Sequence, residues 1–482
     1  MTTIKIAIIN PPRLDKKSNY TAALTIPLGI CYLASYLREN NIDVKIIDAL
    51  GSDINKIRKY DDNFDYIGME ISEITKEISD CDVIGISANF SVQQRLLLEI
   101  IKKLRETFPE KIIVAGGNEA TINYKLYLDN GVDYIVLGEG EETLLKLIKY
   151  LEKNRKPVMI NGLAFYNKKK LVVNEKKYID NLDKMPFPAR DMLPLENYWS
   201  AKKSHGPVTR KFTSIITSRG CPYNCSFCSS SLFWSRMWRK RSIDSVIEEI
   251  EECINKYGIT EFEFEDDNLT LDKERAKELF RKIIEKGLKI NWTTPNGVRS
   301  DHVDEEMLEL MKKSGCNHLT FAPESGSKRI LKEIYNKSID IDRIKILVKK
   351  CNKIGIKTAC FFVVGTPPET KKDRKYTERY IIDLARCGLD EIGIFPCMPY
   401  PGTEIRKFYD MNSIGEELIV GDIPDWYPNA VAVSKFIKGL YIDFFVNKFL
   451  YHPKKFLSTI KNLITRKQEL KMDRTIFSYI GF

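Results

Sequence analysis

Histidine is scarce in this chain of 482 residues: it occurs four times, at positions 205, 302, 318 and 452. Any chemistry N-terminal to residue 205 must therefore do without an imidazole. No apolar run approaches the roughly 18 residues that a membrane-crossing helix needs, which excludes a helical integral membrane protein. Cysteine is not rare, at eleven residues, but outside one triad the cysteines show no paired spacing. A reducing cytosol fits that pattern better than a disulfide scaffold does. Residues 3–9 alternate around a lysine and end at Asn10-Pro11-Pro12, the pattern of a buried strand and not of a cleavable signal.

Apolar residues make up 43% of the chain and charged residues 29%, which places it among globular and not disordered sequences. Its length predicts about two to four domains. The net charge is +10 and unevenly placed: residues 435–482 carry ten Lys/Arg against three Asp/Glu, so that tail alone accounts for +7. Charge so localised points to a partner surface and not to nucleic acid gripped by the whole protein.

The triad lies in Ser218-Arg-Gly-Cys221-Pro-Tyr-Asn-Cys225-Ser-Phe-Cys228, behind an apolar run at 212–217. Three thiolates on a tight loop opened by Gly220 and Pro222 can hold three corners of an iron–sulfur cluster and leave the fourth iron without a protein ligand. A closed electron-transfer cluster needs a fourth cysteine nearby, and the next, Cys253, sits in a helical pattern. Structural zinc also needs four ligands. His205 can supply the fourth, so zinc stays open on these residues alone.

With Phe227 before the third cysteine, the Cys221-x3-Cys225-x2-Cys228 spacing resembles the signature of radical S-adenosylmethionine (SAM) enzymes. The resemblance implies a [4Fe–4S] cluster on Cys221, Cys225 and Cys228, SAM chelated at the open iron, and reductive cleavage to a 5′-deoxyadenosyl radical. Independently, strands at 212–217, 261–265, 290–293, 318–322, 357–364 and 391–395 alternate with helices near 242–257, 272–286, 303–313, 340–354 and 371–386. Six such repeats predict a partial (β/α)6 TIM-type barrel with its active site at the strand C-termini, and the cysteine loop follows the first strand.

The other strand ends supply candidates. Asp267 suits a ribose diol or the SAM ammonium, and Arg299 can pair with the SAM carboxylate. Ala322-Pro-Glu-Ser-Gly326 resembles the family's Glu-Ser-Gly motif, which implies SAM contacts at Glu324 and Ser325, with Phe227 beside the cluster. Gly365-Thr-Pro-Pro-Glu-Thr370 resembles a turn near the adenine. Pro399-Tyr400-Pro-Gly-Thr403 resembles the turn facing the substrate cavity. Cys397 and Tyr400 are the catalytic candidates there, the thiol as a donor of a hydrogen atom or proton. For each single residue the alternative role is a cap or loop stabiliser or, for Cys397, a small buried hydrophobe.

Ahead of the barrel, strands at 4–9, 44–47, 83–86, 111–115 and 134–136 alternate with helices, which predicts a doubly wound parallel sheet whose ligands bind at the strand C-termini. Asn10-Pro-Pro, Ile26-Pro-Leu-Gly-Ile-Cys-Tyr-Leu-Ala34, Gly116-Gly117 and Gly138-Glu-Gly-Glu-Glu-Thr143, in that order before the cysteine motif, resemble the cobalamin-binding domain of cobalamin-dependent radical SAM enzymes. The resemblance implies cofactor contacts at Pro11, Ser87, Asn89, Gly116, Gly117, Glu119, Gly138, Glu139, Gly140 and Glu141. Glu119 stands where the family often carries a histidine. A bound cobalamin should then have water or nothing below its cobalt.

The expected organisation is a Rossmann-like cobalamin-binding domain at 1–155, a hairpin and linker at 156–205, the radical SAM partial barrel at 206–403 and a basic helical extension at 404–482. Asp422 to Tyr427 reads as a lid, and the stripes Phe436, Leu440, Phe444 and Ile437, Tyr441, Phe445 as a basic amphipathic helix that packs on the barrel or lies on an anionic membrane. The implied function is methyl transfer to an unactivated carbon of a small-molecule or lipid-like substrate. It would run in the cytoplasm with an external one-electron reductant of the ferredoxin or flavodoxin type, and no nucleic-acid partner is expected. A cobalamin-dependent cyclase or oxidative enzyme is the nearest alternative. A non-catalytic iron–sulfur carrier is the alternative of another class. Methylthiolation of tRNA is disfavoured, because the N-terminal domain lacks the three cysteines of a second cluster.

Overall fold

Short apolar strands bounded by turn residues set the architecture of both halves of the chain. The computed structural model describes residues 4–17, 23–153, 159–207, 211–412, 414, 423–465 and 470. They fall into two compact units, one containing Ile26–Ala201 and the other most of the chain from Lys202 onward.

The first unit contains β1 (Lys5–Asn10), β2 (Arg13–Lys16), β3 (Asp43–Asp48), β4 (Ile57–Lys59), β5 (Phe64–Ile67), β6 (Val83–Ser87), β7 (Ile112–Gly116), β8 (Tyr134–Val136), β9 (Leu163–Asn167) and β10 (Lys170–Val173). Five of them form a parallel core in the order β3-β1-β6-β7-β8. That is the doubly wound order 2-1-3-4-5, which opens a crevice where the order reverses, between the C-terminal ends of β1 and β6. The central strands are buried on both faces, as Ile6 to Ile9 show. Helix Gln94–Thr107 covers one face with Leu97, Ile100, Ile101 and Leu104, a helical stripe with no exposed surface.

The hairpin β9–β10, expected in the connector, instead extends this sheet antiparallel to β8. Leu163, Ala164 and Phe165 are apolar enough to be buried there. A second small sheet, β2-β5-β4, was not foreseen. Its strands are three or four residues long and carry Arg13, Asp15, Lys16, Arg58 and Lys59, so they show no hydrophobic period.

The second unit is built on six parallel strands in sequential order: β11 (Phe212–Ile215), β14 (Glu261–Phe264), β15 (Asn291–Thr293), β16 (Cys316–Glu324), β17 (Lys357–Val364) and β18 (Glu391–Pro396). Between the first two, β12 (Ser218–Arg219) and β13 (Arg239–Lys240) form a short antiparallel pair. Helices Ile243–Tyr257, Lys273–Glu285, Glu305–Lys313, Ile341–Ile354 and Lys371–Arg386 follow the strands as expected, within a residue or two. Side chains alternate across β14 and β15. Phe264 and Trp292 meet edge to face at 5.2 Å, and Trp292 stacks on Phe280 at 4.9 Å. The indole N–H donates to the Ser314 carbonyl at 3.1 Å.

Two helices, Ala430–Tyr451 and Pro453–Thr465, end the described chain. Leu440 and Phe444 are buried, as expected for packing. The first helix packs mainly on helix Lys371–Arg386 and reaches the edge of β18, where the Tyr441 hydroxyl accepts from Ile394 N–H at 3.3 Å and Lys448 Nζ donates to the Asp390 carbonyl at 2.6 Å. Of the expected lid, Asp422 lies outside the described residues. Tyr427 is buried and its hydroxyl donates to the carbonyls of Gly365 and Cys397. Among the described residues no helix is long and apolar enough to cross a membrane.

Trp292 has no exposed surface and touches both neighbouring aromatics. Trp292→Ala is expected to destabilise this unit by about 3–5 kcal/mol, measured as a shift in urea unfolding followed by far-UV circular dichroism.

Candidate functional site

The cysteine loop leaves the sheet between β12 and a short helix at Ser230–Trp234. Two adjacent carboxylates after β14 hold it. Asp266, buried, accepts from the Thr217 hydroxyl at 2.8 Å, from Thr217 N–H at 3.1 Å and from the Ser218 hydroxyl. Asp267 accepts from the Ser230 hydroxyl at 2.8 Å and from Gly220 N–H, so it spans both ends of the loop. Burial raises both carboxyls above their ordinary range, and these hydrogen bonds oppose it.

The middle of the loop is fixed from elsewhere in the barrel. Ser226 donates its N–H to the Tyr335 carbonyl at 3.0 Å and its hydroxyl to the Ile334 carbonyl at 2.6 Å. Residues Ile330–Ile334 form a π-turn, a feature frequent at functional sites. Phe227 packs edge-on against Tyr335 at 5.2 Å. Tyr223 is held by His302 Nε2 at 2.7 Å from its hydroxyl, and its ring lies 3.7 Å under the Arg299 guanidinium.

The three thiols form one electrostatic group. Cys221 and Cys225 are raised by burial, and Cys225 raises Cys221 further, as Cys225 and Cys221 both do Cys228. Cys228 presents surface to solvent, yet the protein packed around its sulfur pushes that thiol up to about 12. At Cys225 the burial effect is opposed by Lys337 and Arg299 and reinforced by Glu324. Loading a cluster must therefore displace thiol protons, and nearby cations favour that exchange. Among the described residues, no three Cys, His, Asp or Glu side chains stand at single-ion spacing. His205, the open candidate for a fourth ligand, is held instead by Glu265 at 3.0 Å.

Glu324 ends β16 in the left-handed region, with φ of +64°. For a residue with a Cβ this strain is on the order of 1–2 kcal/mol. It aims the carboxylate at Lys337, whose Nζ donates to Glu324 at 2.8 Å and to the Ala322 carbonyl at 2.7 Å. Both side chains are buried. Nothing in the spacing of the motifs singles out Lys337, which is thirteen residues downstream of Glu324 and across the π-turn.

The remaining barrel candidates are placed as follows. The Arg299 guanidinium donates to Asp301 at 2.6 and 3.1 Å and to the Ser338 carbonyl. It braces Tyr223 and is already engaged, where a SAM carboxylate was expected. Ser325 Oγ pairs with Thr377 Oγ1 at 3.1 Å and accepts from Ser327 N–H, which builds the loop after β16. Cys397 is buried and burial pushes its thiol up to about 12, while its carbonyl accepts from the Tyr409 and Tyr427 hydroxyls. Tyr400 is half-buried, and burial raises its phenol.

In the first unit the candidates divide between the crevice edge and the interior. Pro11 and Ser87 are half-buried and Asn89 is exposed at the strand ends that flank the order reversal. Asn89 Nδ2 donates to Ser87 Oγ at 2.9 Å, and Asn89 Oδ1 accepts from Asn118 N–H. Gly116 ends β7 beside them and Gly117 follows it. Gly117 has φ of +112°, and a Cβ there would stand 2.5 Å from the Ala88 carbonyl oxygen and from Asn89 Oδ1.

Glu119 does not face the crevice as a free carboxylate. It accepts from Ser91, from Gln94 at 3.0 Å and from Asn123 at 2.6 Å. Glu139 accepts from Ile179 N–H at 2.7 Å, and Gly138 N–H donates to Thr121 at 3.0 Å. Gly140 packs against Leu33, and Glu141 lies buried in the first turn of helix Glu141–Leu151.

Residues 20–148 match the B12 binding domain, and residues 215–381 match the radical SAM superfamily. An uncharacterized methyltransferase of Pyrococcus horikoshii is 34% identical over 86% of this chain and 85% of its own length. The cytidylyl-2-hydroxyethylphosphonate methyltransferase of Streptomyces wedmorensis is 31% identical over 84% of this chain and 81% of its own. In fold, the chain resembles the radical SAM methyltransferase TsrM of Kitasatospora setae, solved with tryptophan substrate and a SAM analogue bound. The TM-score is 0.67 at 18% identity, over 84% of this chain and 75% of that one.

The chain belongs to the cobalamin-dependent radical SAM enzymes. Its cofactors are therefore a [4Fe–4S] cluster, SAM and cobalamin, and the donor sets fit them. Three thiols on one loop suit a cubane with an open iron. A glycine-rich crevice with no side chain at Gly116 and Gly117 suits close approach by a large ligand. All four histidines of this radical SAM enzyme lie in the second unit, each with a partner there: Glu265, Tyr223, Glu391 and the Arg386 carbonyl.

Removing Lys337 leaves the Glu324 carboxylate buried without its cation. Lys337→Met is expected to cost about 3–5 kcal/mol and to reduce iron retained after reconstitution, while Lys337→Arg preserves most of both. Urea unfolding and iron assay check this. Gly117→Ala should destabilise the first unit by about 1–3 kcal/mol and release cobalamin, read by thermal melts and by the corrinoid spectrum after gel filtration.

Proposed function

We propose that the chain transfers a methyl group to an unactivated carbon of a small organic substrate. The observation that carries this reading is that a cluster-type cysteine loop and a cobalamin-type crevice occur in one chain that is 34% and 31% identical to two methyltransferases over more than four-fifths of each sequence. When bound, the cluster supplies the electron that cleaves SAM and cobalamin supplies the carrier for the methyl group.

The chain's residues do the holding. Cys221, Cys225 and Cys228 carry the cluster, and Asp266, Asp267 and Ser226 keep their loop in shape. Glu324 and Lys337 present a buried carboxylate and ammonium side by side, 2.8 Å apart. The amino and carboxylate groups of SAM form the complementary pair of charges, and exchange of partners between the two pairs would orient SAM at the open iron. Asn89, Ser87 and Gly117 would hold the corrinoid at the crevice, beside a Glu119 carboxylate that Ser91, Gln94 and Asn123 already occupy.

The electron comes from outside the chain, from a one-electron reductant of the ferredoxin or flavodoxin type. The eight cysteines outside the triad are all buried, and among the described residues they form no group at metal-ligand spacing that could serve as a relay cluster. Eleven free cysteines and an oxygen-sensitive cluster fit the reducing cytoplasm.

The test is anaerobic reconstitution with iron, sulfide and hydroxocobalamin, then reduction in the presence of methyl-labelled SAM as the only probe. Label is expected on the corrinoid with one S-adenosylhomocysteine released per cobalamin. Formation of 5′-deoxyadenosine alone, with no S-adenosylhomocysteine, would assign the chain to the cyclase-type branch and overturn methyl transfer.

A further inference from the structure

Large apolar side chains are exposed very unevenly. Of the twenty exposed among the described residues, nine lie between Val431 and Ile464. On helix Ala430–Tyr451, Ile442, Val446 and Phe449 recur at helical spacing on the face opposite buried Leu440 and Phe444, and each is at least half exposed. On helix Pro453–Thr465, Leu457 and Ile464 are 58% and 78% exposed on the face opposite buried Thr459. Neither helix is the ordinary surface helix, which turns only polar groups to water.

The charges on the same faces are of one sign. Lys435, Lys438, Lys454 and Lys461 are exposed, and no ion pair joins any of them to a carboxylate among the described residues. The segment 430–465 contains one acidic residue, Asp443, which is half-buried. By contrast, Lys448 and Lys455 of the same helices point inward and are spent on Asp390 and on the carbonyl of Gly388. Apolar side chains flanked by free lysines, with no facing carboxylate, complement a surface that is apolar below and anionic above.

We infer that the outer faces of helices Ala430–Tyr451 and Pro453–Thr465 form a docking surface for an anionic lipid bilayer. Ile442, Val446, Phe449, Leu457 and Ile464 enter the headgroup boundary, and the exposed lysines pair with lipid phosphates. The inference is independent of methyl transfer: it needs only these two helices and stands or falls without any turnover.

The test uses the full-length reconstituted protein and sedimentation with phosphatidylcholine vesicles, with and without phosphatidylglycerol. Binding is expected only with phosphatidylglycerol and should weaken as salt is added. Lys461→Gln should lower partitioning about fivefold, and Phe449→Ser about tenfold or more. Lys461 is exposed and Phe449 is half-exposed with one ring contact, to Phe456 at 5.2 Å, so circular dichroism of the two variants should stay close to the parent. Binding to neither vesicle, or binding that both variants leave intact, overturns the inference. A concentration-dependent dimer in sedimentation velocity that Phe449→Ser disperses also overturns it, because a second copy would then cover the face.

Discussion

The catalytic half of this enzyme depends on a loop that has no fold of its own. From Gly220 to Ser229 the chain makes no helix or strand, yet three thiols must stand where one cubane can take them. The backbone of such a loop is expensive to order unless its polar groups find fixed partners. Two consecutive carboxylates, Asp266 and Asp267, supply the partners at the ends, and the carbonyls of Ile334 and Tyr335 supply them in the middle. All four groups are anchored to the barrel strands or the turns that follow them. The loop thereby inherits the rigidity of the sheet.

Electrostatics follows from that placement. The thiols are raised by burial, which opposes the thiolate form that metal binding requires. Lys337 and Arg299 act against that at Cys225. Arg299 is itself neutralised by Asp301, and Lys337 by Glu324, so each cation is presented with its counter-charge. The field at the cluster site is a balance of two ion pairs and not of bare charges, and Glu324 is held in it by a backbone conformation that few side chains adopt.

Much of this was legible before any coordinates. The six barrel repeats lie within a residue or two of their expected places, because short β-prone stretches alternate regularly with helices that carry a clear inward stripe. The triad and the order of glycine-rich strand ends carried both cofactors. What escaped were contacts that no period encodes. Lys337 meets Glu324 only because a π-turn brings the chain back. Arg299 looked free in sequence, and its partners Asp301, Ser338 and Tyr223 appear only once the turn after β15 is folded. Glu119, an expected crevice residue, carries ties to Ser91, Gln94 and Asn123 that no motif announces. The strands β2, β4 and β5 are too short and too charged to announce themselves, and the β9–β10 hairpin gave no sign of which sheet it would join.

The order of the barrel strands has a consequence for the integrity of the chain. Six parallel strands laid down in sequence leave β18 at one end of an open sheet, with main-chain groups that a closed barrel would pair. Tyr441 accepts from one of these amides and Lys448 donates to a carbonyl at the same edge. Helix Ala430–Tyr451 is thus a guard against self-association by strand addition. A proteolytic cut before residue 430 would leave the cysteine loop intact in sequence and yet produce a species prone to stack edge upon edge.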